Sequence, residues 1–287
     1  MQLRNFSAAA LAAALTVTLG ACSGNSGSQS SQTSTTTTQS NAQAGATITA
    51  VGSTALLPLV KQAATDYQTK HADVKIGVSG GGSVTGITQV AQKGADIGDS
   101  DIPATGQPAL VDHKVAVVAF GVAVNPQAGV KNLTTQQIRD IFSGKITNWK
   151  AAGGANQAIT IINRPRSSGT RAVFVDKVMG GAQPSDAGLT QDSSGTVATM
   201  VSQTAGAVSY VAMGYVKPGQ QVAVAINGVA PNDANVQSGK YPFWSYEHMF
   251  TNGQPAANVA DFINFVTTDT TLLSQLHFIP VSTMKVH

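Results

Sequence analysis

Thr47 to Tyr67 reads TITAVGSTALLPLVKQAATDY. The opening run of Thr, Ile and Val is a β-type stretch, and Gly52-Ser53-Thr54 interrupts it. Leu56, Val60, Ala63 and Tyr67 then follow helical spacing, with Pro58 near the first turn, where a missing N–H is tolerated. This order of strand, glycine-and-hydroxyl turn and helix recurs along the chain. Val74 to Val78 predicts a strand, and Val84, Ile87 and Ala91 mark the stripe of a second helix. Val115 to Val124 is apolar without a breaker until Pro126, which suits a buried strand.

Beyond Asn125 the order resumes. Thr134 to Phe142 predicts a helix, Ile159 to Asn163 a strand, and Thr170 to Met179 a helix with Phe174 and Val178 on one side. Thr196 to Gln203 predicts another helix, Gly206 to Val216 a strand, and Ala257 to Thr267 a final helix. Alternation of this kind argues for an α/β protein whose parallel sheets are covered on both faces.

The segment before Thr47 reads differently. Arg4 followed by the apolar stretch Phe6 to Leu19, too short for an ordinary membrane span, reads as an export signal. It ends in Leu19-Gly20-Ala21-Cys22, which resembles the lipobox of bacterial lipoproteins and marks Cys22 as the lipidation site. Residues 1–21 are then the signal peptide. Residues 22–46, rich in Ser, Thr, Gln and Asn, form a tether that cannot bury enough apolar area to fold. Cys22 is the only cysteine, so neither an intramolecular disulfide nor a cysteine-rich zinc site is available.

Composition narrows the function. Seventeen Lys and Arg against fourteen acids leave a net charge of +3, too balanced to suggest a nucleic-acid surface. Glu247 is the only Glu, which disfavours enzymes built on several glutamates, and H-E-x-x-H is absent. The five histidines, His71, His113, His248, His277 and His287, are scattered and lack metal-ligand spacing. Neither G-x-x-x-x-G-K-[ST], G-x-G-x-x-G nor G-x-S-x-G occurs. No metal or cofactor is expected.

Three turns carry the positive signal. Gly52-Ser53-Thr54, Gly80-Gly81-Gly82-Ser83 and Ser167-Ser168-Gly169-Thr170 each lie between an expected strand and an expected helix. The first N–H groups of a helix lack internal partners and carry partial positive charge, and glycine lets a ligand approach them. Such turns make anion sites, and Arg164 stands just before the third. Asp192-Ser193-Ser194-Gly195-Thr196 nearly repeats the third turn without a preceding arginine, and reads as a plain helix cap.

Taken together, the runs AVGSTALLPLV, SGGGSVTGI, ADIGDSDIP, IFSGKITNW, RPRSSGTR and GAVSYVAMGYV resemble the phosphate-binding proteins of bacterial phosphate ABC importers, the PstS family, in that family's order. The resemblance implies a periplasmic-binding-protein fold of the second type, with two α/β lobes, each a mixed sheet flanked by helices, joined by two crossing segments. Lobe one would span 47–121 and 217–287, and lobe two 122–216. It implies phosphate contacts from Thr54, the Ala55 backbone, Ser83, Asp101, Arg164, Ser168, Gly169 and Thr170. The chain departs from relatives at Pro165-Arg166-Ser167 and at Val84, which makes Arg166 a weaker rival of Arg164. Arg171 reads as a solvated first-turn arginine.

Asp101 has a role that chemistry alone supplies. A carboxylate in an anion site repels its ligand unless the ligand donates a proton to it; phosphate keeps a hydroxyl hydrogen at neutral pH and sulfate has none. The expected partners are inorganic phosphate, an ABC permease and, through Cys22, the outer face of the cell membrane, with the protein acting as a monomer and not as an enzyme. The alternatives are another tetrahedral oxyanion such as sulfate or molybdate, an exported phosphatase, or an adhesin on the same scaffold.

Overall fold

The computed structural model describes residues 46–286; the signal segment, Cys22 and the polar stretch through residue 45 lie outside them. The first helical units follow the order read above: β1 (Ala46–Gly52), α1 (Leu57–Lys70), β2 (Val74–Ser79), α2 (Ser83–Ala91) and β3 (Ile97–Ser100). β1 lies between β2 and β3 and is parallel to both. α1 turns Leu59, Val60, Ala63, Ala64 and Tyr67 inward, and Pro58 sits at its start as expected.

The face of α2 differs from the expected stripe. Its buried residues are Ser83, Gly86 and Val90, whereas Val84 is exposed. Gly86 is the reason: a Cβ there would come within 2.6 Å of the carbonyl oxygens of Asp99 and Val51, so the helix rides on β1 and β3 through a residue without a side chain. A hydrophobicity stripe cannot register a glycine contact of this kind.

β4 (Leu110–Val124) follows, and then β5 (Asn132–Leu133), α3 (Thr135–Phe142), β6 (Thr160–Asn163), α4 (Gly169–Lys177), β7 (Leu189–Thr190), α5 (Ser194–Gln203) and β8 (Ala207–Ala212). β9 (Val222–Ile226), α6 (Asp233–Gln237), β10 (Trp244–Asn252), α7 (Ala257–Thr268), α8 (Thr270–Gln275) and β11 (Phe278–Ile279) complete the chain. Strand order is β2-β1-β3-β10-β4-β8-β6-β7. The purely parallel arrangement is not what forms, because β10 is antiparallel to β3 and β4, and β4 to β8 and β9.

β4 is shared between two sheet regions. Leu110 to Ala119 pair with β10, and Phe120 to Val124 pair with β8. From Val115 onward every residue is buried, which explains why the sequence shows an unbroken apolar run. The expected Gly206–Val216 strand is shorter, ending at Ala212 before a 3-10 turn at Met213–Tyr215.

The large core includes Phe120, Phe142, Phe174, Tyr210 and Phe243. Tyr210 stacks on Phe174 with ring centroids 4.2 Å apart. Trp149 is fully buried and donates its indole N–H to the Gly206 carbonyl at 2.9 Å, so its one polar atom is satisfied. This packing fixes the base of α4, and with it the turn at Ser168.

Candidate functional site

The turns identified from sequence converge. They follow β1, β2 and β6, at the carboxyl ends of strands, where open α/β sheets place ligands. Ser53, Thr54, Ser83, Asp101, Arg164, Ser168 and Thr170 are all buried.

Each turn holds a different part. In the first, Ser53 rather than Thr54 organises the backbone: its Oγ accepts from the N–H of Ala55 at 3.0 Å and of Leu56 at 3.1 Å, and donates to Asp101 Oδ1. The Ala55 N–H is therefore held by Ser53. In the second, Gly82 at φ +90° precedes α2 as its cap, and Ser83 Oγ accepts from the Asp101 N–H at 2.9 Å. In the third, Ser168 caps α4 by accepting from the Arg171 N–H at 3.2 Å, and Thr170 Oγ1 donates to Asp101 Oδ2 at 2.8 Å. The second and third turns also touch directly, the Val84 N–H donating to the Ser167 carbonyl at 3.1 Å.

Gly169 is required at that meeting point. A Cβ there would run into Ser83 Oγ and lie 2.9 Å from the Asp101 Cβ.

Arg164 is 1% exposed, and among the described residues no carboxylate forms an ion pair with it. Its donors go to neutral oxygens: Nε to the Gln191 carbonyl at 3.1 Å, Nη1 to Ser194 Oγ at 3.1 Å, and Nη2 to Thr54 Oγ1 at 2.9 Å and the Asp192 carbonyl at 2.6 Å. Burial pulls its pKa down; Asp101 opposes that most, followed by Tyr210, Tyr215 and Asp192. Arg166, the weaker rival, is exposed, whereas Arg164 is buried. Arg171 corrects the expectation of a solvated side chain: it is buried and donates to the Arg164 carbonyl at 2.7 Å.

The fourth turn, read as a plain cap, caps and does more. Ser193 caps α5 by accepting from the Thr196 N–H at 3.4 Å. The residues around it, Gln191, Asp192 and Ser194, cradle the Arg164 guanidinium, and Ser194 Oγ lies 2.9 Å from Thr54 Oγ1. Tyr215 adds a further contact, donating to the Thr54 carbonyl at 2.6 Å. Neither role has a local sequence signal, because each depends on a partner distant in sequence, 27 to 30 residues away for Arg164 and 140 to 161 for Thr54.

Behind Asp101 stand two fully buried carboxyls, Asp99 and Glu247, whose oxygens have no hydrogen-bond partner. Burial pushes both well above the usual carboxylate range; Asp101 adds to the shift of each. No group of three or more His, Cys, Asp or Glu among the described residues is arranged to hold a metal ion.

The site therefore offers the buried Arg164 guanidinium backed by Arg171, an acceptor carboxylate, several hydroxyls and two helix N-termini in contact. Residues 31–270 match the model of a PBP superfamily domain. The phosphate-binding protein PstS of Bacillus subtilis is 41% identical over 252 residues, covering 85% of this chain and 84% of that protein. The chain belongs to the PstS family. The PstS of Borreliella burgdorferi is 26% identical over 76% of this chain and 84% of its own length.

Solved structures agree. A putative phosphate ABC transporter substrate-binding protein from Clostridium perfringens, with bound phosphate, superposes with a TM-score of 0.77 at 27% identity, covering 82% of this chain and 99% of its own. An ABC-type phosphate transport receptor from Vibrio cholerae gives 0.67 at 28% identity over 81% and 99%. The PstS-family chain thus has the two-lobed binding-protein fold, each lobe a mixed sheet flanked by helices, and the family is one of substrate-binding proteins. No described helix is long and apolar enough to cross a membrane.

Proposed function

We propose that this chain is an extracytoplasmic solute-binding protein that captures inorganic phosphate between two lobes and delivers it to the permease of an ABC importer. The observation that carries the reading is Arg164, a buried guanidinium with neutral partners only, facing the same turns as Asp101. A buried cation without a counterion is costly, and a dehydrated oxyanion would supply the counterion.

Thr54, Ser83, Ser168 and Thr170 provide hydroxyls, Ala55 and Gly169 provide backbone N–H groups, and Arg164 provides the charge. The Ala55 N–H would turn from Ser53 Oγ to the ligand. Asp101 accepts from Ser53 and Thr170 and keeps acceptor capacity for a ligand proton. That selects phosphate, which brings a proton, over sulfate, which does not. Binding needs no nucleophile, and the protein would act as a monomeric carrier without chemistry.

The lobes would be 47–121 with 217–287, and 122–216, closing about β4 and the segment after β8. Cys22, lipid-modified, would hold the protein to the outer face of the cell membrane.

Calorimetric titration of wild type and Asp101→Asn with phosphate and with sulfate tests the reading. Wild type should prefer phosphate strongly, and the variant should lose that preference. A wild type that binds sulfate equally well sinks it. Release of a Cys22→Ser variant from the membrane fraction tests the anchor; retention would disprove it.

A further inference from the structure

The one glutamate of the chain is fully buried, with neither oxygen partnered, in the strand beside the site. Register explains its position. His248 pairs with Ser100 and Met249 with Asp99 across β10 and β3, so Glu247 comes next in line, toward Asp101. The pairing of β10 with β4 shifts register between Glu247 and His248, and Ser245 Oγ donates to the Asp101 carbonyl at 2.7 Å, tying the same strand to the site. Asp99 lies in β3, and Asp101 follows one residue beyond its end.

An unpartnered buried carboxyl is expensive, and an apolar side chain of similar volume would fill the space at lower cost. Packing alone therefore gives no reason for Glu247. Its neighbours do. The register sets Glu247 opposite Asp101, and burial, with the charges of Asp101 and Asp99 adding to it, pushes its carboxyl up. Arg164 and Tyr215, the other charged or titratable groups near Asp101, both donate to Thr54. The remaining charges on adjoining strands are engaged elsewhere: Lys114 lies 4.2 Å over the Tyr246 ring, Asp112 is 2.7 Å from His248 Nδ1, and His113 is 3.1 Å from Thr251.

We propose that Glu247 is a positioning residue for ligand selection: it keeps a proton inside the cluster and directs it onto Asp101, so that Asp101 stays ionised and acceptor-only toward the ligand. An ionised carboxylate has about four acceptor sites. Ser53 and Thr170 use two in this structure; a proton on the otherwise unpartnered Glu247 would take a third, and the ligand hydroxyl the last. Two adjacent buried carboxyls cannot both ionise, so a proton retained on Glu247 is a proton not taken up by Asp101. Were Asp101 to be protonated instead, it would become a donor and would welcome sulfate.

This inference rests on the phosphate reading and has its own test. Glu247→Gln keeps a donor toward Asp101; Glu247→Met removes it. Phosphate and sulfate dissociation constants are measured for wild type and both variants from acidic to mildly alkaline pH. Glu247→Met should narrow the sulfate-to-phosphate ratio by about tenfold, the worth of one charge-assisted hydrogen bond, with the largest loss at acidic pH. Glu247→Gln should keep the ratio.

Infrared difference spectra give a second readout. With Asp99 replaced by Asn to remove its own band, the protein should show a protonated-carboxyl band that phosphate perturbs and that adding Glu247→Gln abolishes. A Glu247→Met ratio equal to the wild type's at every pH, or a phosphate-perturbed band that persists when Glu247→Gln is combined with Asp99→Asn, overturns the inference. A wild type without phosphate preference overturns the functional reading instead, so the two failures are distinct.

Discussion

Arg164 Nη2 donates to Thr54 Oγ1 at 2.9 Å across 110 residues of sequence. The bond joins the turn after β6 to the turn after β1, so the Arg164 guanidinium is held by the two segments that a closing ligand would bridge. Replacing Arg164 with Met removes the counterion for the ligand and leaves the acceptor oxygens of Gln191, Asp192 and Ser194 without their donor. Phosphate affinity should fall by two to three orders of magnitude, about 3–4 kcal/mol, in calorimetric titration. Arg164→Lys should recover only part of it, because an ammonium cannot reproduce the planar fork that reaches these oxygens. Full recovery by lysine would show that charge alone matters here.

Gly169 makes a second prediction independent of charge. Its hydrogen faces Ser83 and Asp101 so closely that Gly169→Ala must push one turn away from the other. The expected cost is about 1–3 kcal/mol of overpacking, seen as a lower Tm, together with weaker phosphate binding. Gly77→Ala is the control, since nothing lies within 4 Å of a Cβ there and its backbone is ordinary strand. Equal effects from the two substitutions would contradict the crowding argument.

The turns at Ser53, Ser83 and Ser168 were legible in the sequence because their chemistry is local: glycine for approach, hydroxyl for orientation, a helix start behind. What was not legible is tertiary. Ser194 looks like any residue after a cap until β7 and α5 bring it against Thr54 and Arg164. β3 is four residues long, reads IGDS and is wholly buried, so two polar residues conceal a central strand. Glu247 stood out only by being alone, and no spacing rule connects it with Asp101. The face of α2 was misread because Gly86, not a large apolar residue, makes the contact.

Asp99 and Glu247 give the fold a pH dependence with a definite sign. Both pKa values are raised in the folded state by burial first. In the unfolded chain these groups release their protons near the ordinary carboxylate value of about 4. The folded protein binds more protons above that pH, so this contribution favours folding below it and is lost as pH rises through the folded-state values. Asp99→Asn, which cannot ionise, should therefore gain in Tm relative to wild type at neutral pH and lose that gain near pH ~4. A difference in Tm that does not change with pH would show that Asp99 ionises in the folded protein as readily as in the unfolded one.

Ser194→Ala separates the positioning of Arg164 from the contacts to the ligand. The substitution deletes the hydroxyl that accepts from Arg164 Nη1 and meets Thr54, while leaving Ser193 to cap α5. Helix stability should therefore be preserved, and the loss should fall on the guanidinium, at about 1 kcal/mol for one hydrogen bond or roughly fivefold in phosphate affinity. Because Asp101 is untouched, the ratio of sulfate to phosphate affinity should stay at the wild-type value. A drop in Tm without a drop in affinity would reduce Ser194 to a structural residue. A change in the ratio would mean that the fourth turn touches the ligand itself.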